Sequence, residues 1–555
     1  MITIDNIRSS DQRRSLMRYA GLVLLAFASV AFVFTGCDTQ EFLNSQRQSS
    51  DAGPGQGDWQ SPADLDDVLS TGYWYMSGAG FGGESMVGRG YQVRTVQTDV
   101  AVPYVDAGGG NQLEPGGATT LYGRQSTNPA YGFTEDIWTT CYHIIGNANE
   151  VIGFIKNEFR GGGGKPFSDP SNEIPRIYGE ALVMRAIANW NLATIFAPPY
   201  SQNTLQNQSV VIRKTKVSSV EDSNKPPGTV EELYSLIESD LKKAIKELPE
   251  TPEDAKEYYN YSRFTKSAAE FLLARVSLQM QKWGQAQEYA TKVIEDSKFD
   301  LSQDPLNAFN QNTYTRPNEV IWYFAYVDGN GVNSSPWKDL KTFDAWAWNV
   351  AEEQRFVAAS YSFMEKAGWV NPSDTSVTST ATNDLRYQQL WKRCEAGGAC
   401  NGLTFNDRVT FWSNKFFRQG TGTNVPMFRL PEMYLTRALA SYTGNNGATQ
   451  NQSQALSDVN AVRSRAGLSD LSSLSVEDIH RERMREMAFE GDRLYYLRAN
   501  RVAVPNGDTN AGSGFGDGDF IINGGRQPGG SVAWDSDDFV WPIPEAERET
   551  NTAID

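Results

Sequence analysis

Histidine and cysteine are scarce in this chain: 555 residues carry two His and four Cys. With His143 and His480 as the only imidazoles, a zinc hydrolase centre or a Ser-His-Asp triad is hard to assemble. Positive charge is also short. Lys and Arg number 50 against 67 Asp and Glu, a net charge of −17. That balance weighs against nucleic acid and anionic lipid surfaces as partners. Long apolar runs are nearly absent. The one from Tyr19 to Phe34 is shorter than the roughly 20 residues a membrane-spanning helix needs. Neutral ligands and paired-carboxylate chemistry remain open. Aromatics are plentiful, with 14 Trp and 24 Tyr.

The apolar run explains itself by its flanks. Arg13, Arg14 and Arg18 precede it, and Thr35-Gly36-Cys37 follows. A positive start, an apolar stretch and small residues at the break make an export signal. The ending resembles the bacterial lipobox, in which the Cys becomes the lipidated first residue, although Phe34 stands where Leu is usual. An ordinary secretory signal with an adventitious Cys is the alternative. Lipid on Cys37 would anchor the chain without spanning. Each buried methylene contributes roughly 0.8 kcal/mol, and more than one acyl chain is needed for stable attachment. Residues 1–36 are thus a leader. It carries four Arg and two Asp, so its removal takes −17 to about −19. Residues 37–60, polar and rich in Gln, Ser, Gly and Asp, read as a flexible tether.

From residue 61 to about 300 the pattern is helical. SPADLDDVLSTGYWYM opens with Ser61 as N-cap and Pro62 at N1. In EDIWTTCYHIIGNANEVIGFIKN, Ile137, Cys141, Ile144, Ile145, Ala148 and Ile152 recur at helical spacing. RIYGEALVMRAIANWNLATIFAPPY carries two apolar stripes. One runs through Ala181, Met184, Ala188, Leu192 and Ile195, the other through Leu182, Ala186 and Ala193. Such a helix packs between neighbours, and Pro198 and Pro199 end it. TVEELYSLIESDLKKAIKELP starts with a capping box, Thr229 with Glu232. TKSAAEFLLARVSLQMQKWGQAQEYATKVIE reads as a helix pair with Gly284 in the turn, and resembles a degenerate tetratricopeptide unit. Residues 301–425 turn rich in Asn, Gly, Ser, Thr and Trp, and loops this long are usually functional. Within them EVIWYFAYV reads as strand or buried segment. Helical pattern returns at FRLPEMYLTRALASY, QALSDVNAVRSRAG and VEDIHRERMREMAFEGDRLYYLRANR, and 501–555 is loop-rich.

Several motifs invite chemistry. GAGFGG at 78–83 fits G-x-G-x-x-G, but a helix, not a strand, precedes it. GGGGKP has Pro166 where a P-loop needs Ser or Thr. RERMREMAFEGDR sets Glu482, Glu486, Glu490 and Asp492 among four Arg. Paired carboxylates could hydrolyse glycosides. However, Glu482 with Arg485 and Arg483 with Glu486 stand at i,i+3 spacing, which reads better as structural ion pairs. CEAGGAC could close a small disulfide loop through Cys394 and Cys400, leaving Cys141 free. Trp138, Tyr142 and Trp190 sit on helices and read as core. Tyr104, Tyr122, Trp337, Trp346 and Trp348 lie in loop-like stretches. Sugar rings stack on aromatic planes, so these five are the candidate platform for a glycan. Local loop packing is the alternative for each.

Taken in order, these blocks resemble the SusD/RagB family of outer-membrane nutrient-binding lipoproteins. YGEALVMRAIANWNLATIFAPPY is similar to the family's GEA-x-FLRA helix and the Pro turn after it. TKSAAEFLLARVSLQMQKWGQA is similar to its AA-x-x-LLAR…W-x-x-A pair. FRLPEMYLTRALA is similar to RL-x-E-x-x-L-x-x-AEA, with Leu439 where that block has Glu. DVNAVRSRAGL, RERMREMAFEGDR and WPIPEAERETN are similar to its closing blocks. The resemblance implies a single, mostly α-helical fold, with tetratricopeptide-like helix pairs as scaffold and 301–555 continuous with 61–300. It implies a binding protein with no catalytic residues and no cofactor or metal, partnered by a SusC-like TonB-dependent transporter. The ligand is an oligosaccharide or a peptide. A surface glycoside hydrolase and a tetratricopeptide-type protein adaptor are the other two readings.

Overall fold

Helical periodicity becomes helices wherever an apolar face finds a neighbour. A computed structural model describes residues 59–77, 90, 93–103, 132–161, 166–251, 262–309, 316–324, 357–395, 399–400, 403–404, 409–415, 425–505 and 530–554. The main helices are α1 (Pro62–Ser77), α2 (Gly132–Phe154), α3 (Glu173–Phe196), α4 (Val230–Glu247), α5 (Lys266–Gln279) and α6 (Trp283–Ile294). The C-terminal half adds α7 (Leu430–Thr443), α8 (Gln452–Arg465), α9 (Val476–Met487) and α10 (Arg493–Ala499). Each of α1 to α8 packs on the next. The result is a row of helix hairpins in which α6 against α7 joins the two halves. Residues 56–555 cluster as one compact unit. No helix among the described residues is long and apolar enough to cross a membrane.

The helix starts follow local chemistry. Pro62 begins α1, and Asp64 accepts from the backbone of Gln60 and Ser61. The Thr229 side chain accepts from the Glu232 N–H while Glu232 reaches back, so the capping box is complete. Helix α3 is buried on nearly every side, and both predicted stripes lie inside it. Ala188 has no exposed surface. Ala188→Phe is therefore expected to overpack the joint and cost about 1–3 kcal/mol. An unchanged melting temperature would show that this face has room.

Three local expectations need correction. Gly284 lies in the first turn of α6, not in the connection, and the turn itself is made by Gln281 at φ +53°. Glycine is required at 284 because a Cβ there would stand 2.6 Å from the Gly447 backbone. Phe428 and Arg429 belong to a strand, and the helix starts at Leu430 with Pro431 in its first turn. The stretch from Val476 to Ala499 is two helices. It breaks between Met487 and Arg493, where Phe489 and Gly491 have φ of +66° and +69°.

Strands are few and short. In chain order they are β1 (Ala101–Pro103), β2 (Val320–Phe324), β3 (Val357–Ala359), β4 (Trp391–Cys394), β5 (Ala399–Cys400), β6 (Leu403–Thr404), β7 (Thr410–Ser413), β8 (Val425–Arg429), β9 (Val504–Pro505) and β10 (Ser531–Val532). They pair as antiparallel two-stranded ribbons: β1 with β3, β2 with β8, β4 with β7, β5 with β6 and β9 with β10. EVIWYFAYV thus supplies a strand, β2, whose side chains are all buried.

Candidate functional site

The five candidate aromatics, Tyr104, Tyr122, Trp337, Trp346 and Trp348, lie outside the described residues, as do Cys37 and GAGFGG. The points from which their segments leave the scaffold are described. Strand β1 ends at Pro103, directly before Tyr104. Strand β3 begins at Val357, after the segment that holds the three Trp. Pro103 and Val357 are partners across the ribbon. Two aromatic-bearing segments far apart in sequence therefore spring from adjacent positions.

A buried carboxylate ties this ribbon to the scaffold. The Asp99 side chain accepts from Arg493 at 2.9 and 3.0 Å and from Lys366 at 2.9 Å. Its backbone carbonyl accepts from Ser360 Oγ, and the Ser360 N–H donates to Val100 O at 3.1 Å. Burial alone would raise the Asp99 pKa. Arg493 and Lys366 overcome that and hold it at about 2, below its ordinary 3.8. A carboxyl depressed on folding stabilises above its unfolded pKa and loses that contribution as pH falls. We expect about 2 kcal/mol of stability to fade between pH 4 and pH 2 through this group. Asp99→Asn should flatten that part of the stability-against-pH curve, and an unchanged slope would place the acid response elsewhere.

The carboxylates of RERMREMAFEGDR form no open pair. Glu482, Glu486, Glu490 and Asp492 are all buried. Glu482 does pair with Arg485 at 3.2 Å, as its spacing predicts. Arg483 does not pair with Glu486. It grips Asp492 at 2.6 Å and Glu432 at 3.3 Å instead. Glu486 meets Arg429 at 2.9 Å, Arg386 at 3.1 Å, and Arg465. Arg429 in turn holds Glu319 and Glu490, and Lys415 holds Glu490 at 2.7 Å. The helix break has its cause here. Lys415 Nζ and Arg429 Nη2 both donate to the Glu486 carbonyl, at 2.7 and 3.1 Å, supplying donors other than the next helical turn. Each carboxylate is spent on guanidinium or ammonium, which is the structural reading of this motif. Five members, Glu319, Arg386, Lys415, Arg429 and Arg465, were not singled out from the sequence. Their only signal is a charge set in apolar company, as in EVIWYF and TFWSNK.

Trp138, Tyr142 and Trp190 are core residues, and Trp190 donates to Gln279 Oε1 at 2.7 Å. His143 lies against the Tyr75 ring, and His480 Nδ1 is 2.7 Å from the Tyr496 hydroxyl. Among the described residues no group of three or more His, Cys, Asp and Glu could hold a metal ion. Cys141 is a free, buried thiol, and Cys394 is disulfide-bonded.

A family model described as "SusD family" matches residues 270–555, more than half the chain. The chain belongs to the SusD family. A second SusD-like model, described as "Starch-binding associating with outer membrane", matches residues 117–278. A SusD-like protein of Bacteroides ovatus is 23% identical over 380 residues. The match covers 64% of each chain, so this chain spans just under two thirds of that relative's length. Solved structures share the SusD fold. A SusD superfamily protein from Bacteroides vulgatus has a TM-score of 0.68 at 18% identity, covering 90% of this chain and 98% of that one. One from Bacteroides thetaiotaomicron has 0.67 at 19%, covering 89% and 99%. A SusD-like carbohydrate binding protein from Bacteroides vulgatus has 0.66 at 16%, covering 89% and 98%. The mostly α-helical SusD-like fold is therefore the fold of this chain.

Proposed function

We propose that this SusD-family chain is a surface lipoprotein of the outer membrane. It captures an oligosaccharide, or alternatively a peptide, and delivers it to a SusC-like TonB-dependent transporter. It is not an enzyme. The observation that carries the reading is the β1–β3 ribbon, which roots two aromatic-bearing segments side by side on a SusD scaffold. The relative solved as a carbohydrate binding protein supports the ligand class. Cys394 pairs with Cys400 in this reading, closing the CEAGGAC loop.

A neutral glycan would bind by stacking and hydroxyl hydrogen bonds, so affinity should change little between low and high salt. Trp346→Ala and Trp348→Ala should each cost about 1–3 kcal/mol if they are anchors. Calorimetry against plant, algal and microbial oligosaccharides at two salt concentrations measures both. Steep salt dependence would point to an acidic glycan or a peptide. Unchanged affinity in both variants would move the site to other loops, with Tyr104 and Tyr122 tested next. Cleavage products in the glycan mixture would favour the hydrolase reading, and failure to copurify a large β-barrel would favour the adaptor.

A further inference from the structure

Most buried guanidiniums in this protein are matched with carboxylates. Arg185, Arg275, Arg386, Arg429, Arg437 and Arg483 each hold a carboxylate oxygen at 2.6–2.7 Å. Arg498 and Arg501 break the pattern. Arg498 is only 5% exposed. Its Nε donates to Trp534 O at 3.0 Å, and its Nη2 is buried with no hydrogen-bond partner among the described residues. Arg501 donates to two backbone carbonyls, Arg498 O at 3.1 Å and Tyr200 O at 2.5 Å, and lies 4.2 Å over the Trp534 ring. Neither arginine has an ion pair among the described residues.

Both line one shallow cleft, open to solvent on one side, where the ends of α3, α5 and α10 meet α4. The other polar walls are Tyr200, Tyr234, Gln279 and Thr194. Among the described residues the Tyr200 and Tyr234 hydroxyls make no hydrogen bond, and their rings meet edge to face at 5.1 Å. The Gln279 carbonyl is already taken by Trp190, which leaves its NH₂ toward new partners. Arg501 has φ +60°, so the backbone carrying this guanidinium is in a sparsely used conformation, a kind of strain that gathers at ligand sites. Asp535 and Asp537 bear on Arg498 electrostatically without coming within ion-pair distance, and burial still pushes its pKa down to about 10. The guanidinium is charged at neutral pH all the same.

We propose that this cleft is a binding site for a small oxyanion, a carboxylate or phosphate group, held by Arg498 and Arg501 with the Tyr234 hydroxyl as a third donor. An unpaired buried guanidinium is costly. A water could satisfy one N–H, but Asp535 and Asp537 offset the charge only from beyond ion-pair distance. A planar fork suits carboxylate and phosphate oxygens. The inference is independent of the glycan platform.

The test uses the mature protein at pH 7 and matched ionic strength, with sodium phosphate, acetate and glucuronate titrated against chloride. Saturable binding by calorimetry, with a rise in melting temperature, is the expected result. Response to glucuronate alone assigns the site to a sugar acid; response to phosphate or acetate as well assigns it to oxyanions generally. Arg498→Gln should weaken binding at least tenfold. Should that variant fold poorly, Tyr234→Phe keeps the ring packing and should weaken binding roughly fivefold. Binding of a neutral oligosaccharide should be unaffected in either variant. The absence of saturable binding by all three anions, or equal binding by wild type and the variants that fold, overturns the proposal.

Discussion

Arg429→Ala is expected to lower stability by about 3–5 kcal/mol, the scale seen when one partner of a buried ion pair is removed. The Arg429 side chain is 1% exposed and contacts three carboxylates. Nε and Nη2 reach Glu490 at 2.8 and 2.6 Å, and Nη1 reaches Glu319 at 2.8 Å and Glu486 at 2.9 Å. Its removal leaves these carboxylates to Lys415, Arg465 and Arg386, out of reach of water. It also removes one of the two donors to the Glu486 carbonyl, and so loosens the break that turns α9 into α10. The figure measures the cost of breaking the network, not its net worth against an apolar core. Arg429→Lys should recover little, because an ammonium cannot serve three carboxylates as a fork does. Acid should act on the same network. Burial alone would raise the Glu486 pKa, but Arg465, Arg429, Arg386 and Lys415 together bring it well below its ordinary value. That contribution is present above the unfolded pKa and disappears as pH falls. Urea unfolding of the three proteins decides the matter. A midpoint for Arg429→Ala close to the native one would mean that the carboxylates find other partners.

Cys37→Ser is expected to release the protein from membranes entirely. On the proposed lipoprotein reading the leader would still be read for export, since its charged start and apolar run are untouched, but the sulfur that would carry the lipid would be gone. The anchor is then lost together with the roughly 0.8 kcal/mol that each buried methylene contributes. Fractionation should find the variant soluble and the native protein pelleted with membranes, in a strain lacking the partner transporter so that docking cannot substitute for lipid. A variant that still pellets there would rule out Cys37 as the anchor.

The α-helical scaffold was legible because helices answer to local rules. The α4 capping box needs only Thr229 and Glu232 three positions on. The burial of α3 follows from two stripes within one segment. The family followed because several such segments, each weak alone, came in one order. The candidate site was legible only as residue types. Aromatics in loops name a kind of surface, and nothing local to Tyr104 or Trp348 says that their segments share a root.

The helices, the α4 capping box and the membership of the SusD family were thus determined by the sequence itself. Each rests on interactions within a few residues or on the order of blocks. Three things were decided by tertiary structure. The pairing of Pro103 with Val357 brings distant strand ends together. The break after Met487 depends on Lys415 and Arg429 arriving from other segments to take the Glu486 carbonyl. The unmatched charge of Arg498 and Arg501 is visible only once most of the buried guanidiniums have found their carboxylates. The physical reason is common to all three. A buried polar group must be satisfied by whatever the fold places within about 3 Å, and that neighbour is chosen by packing, not by distance along the chain.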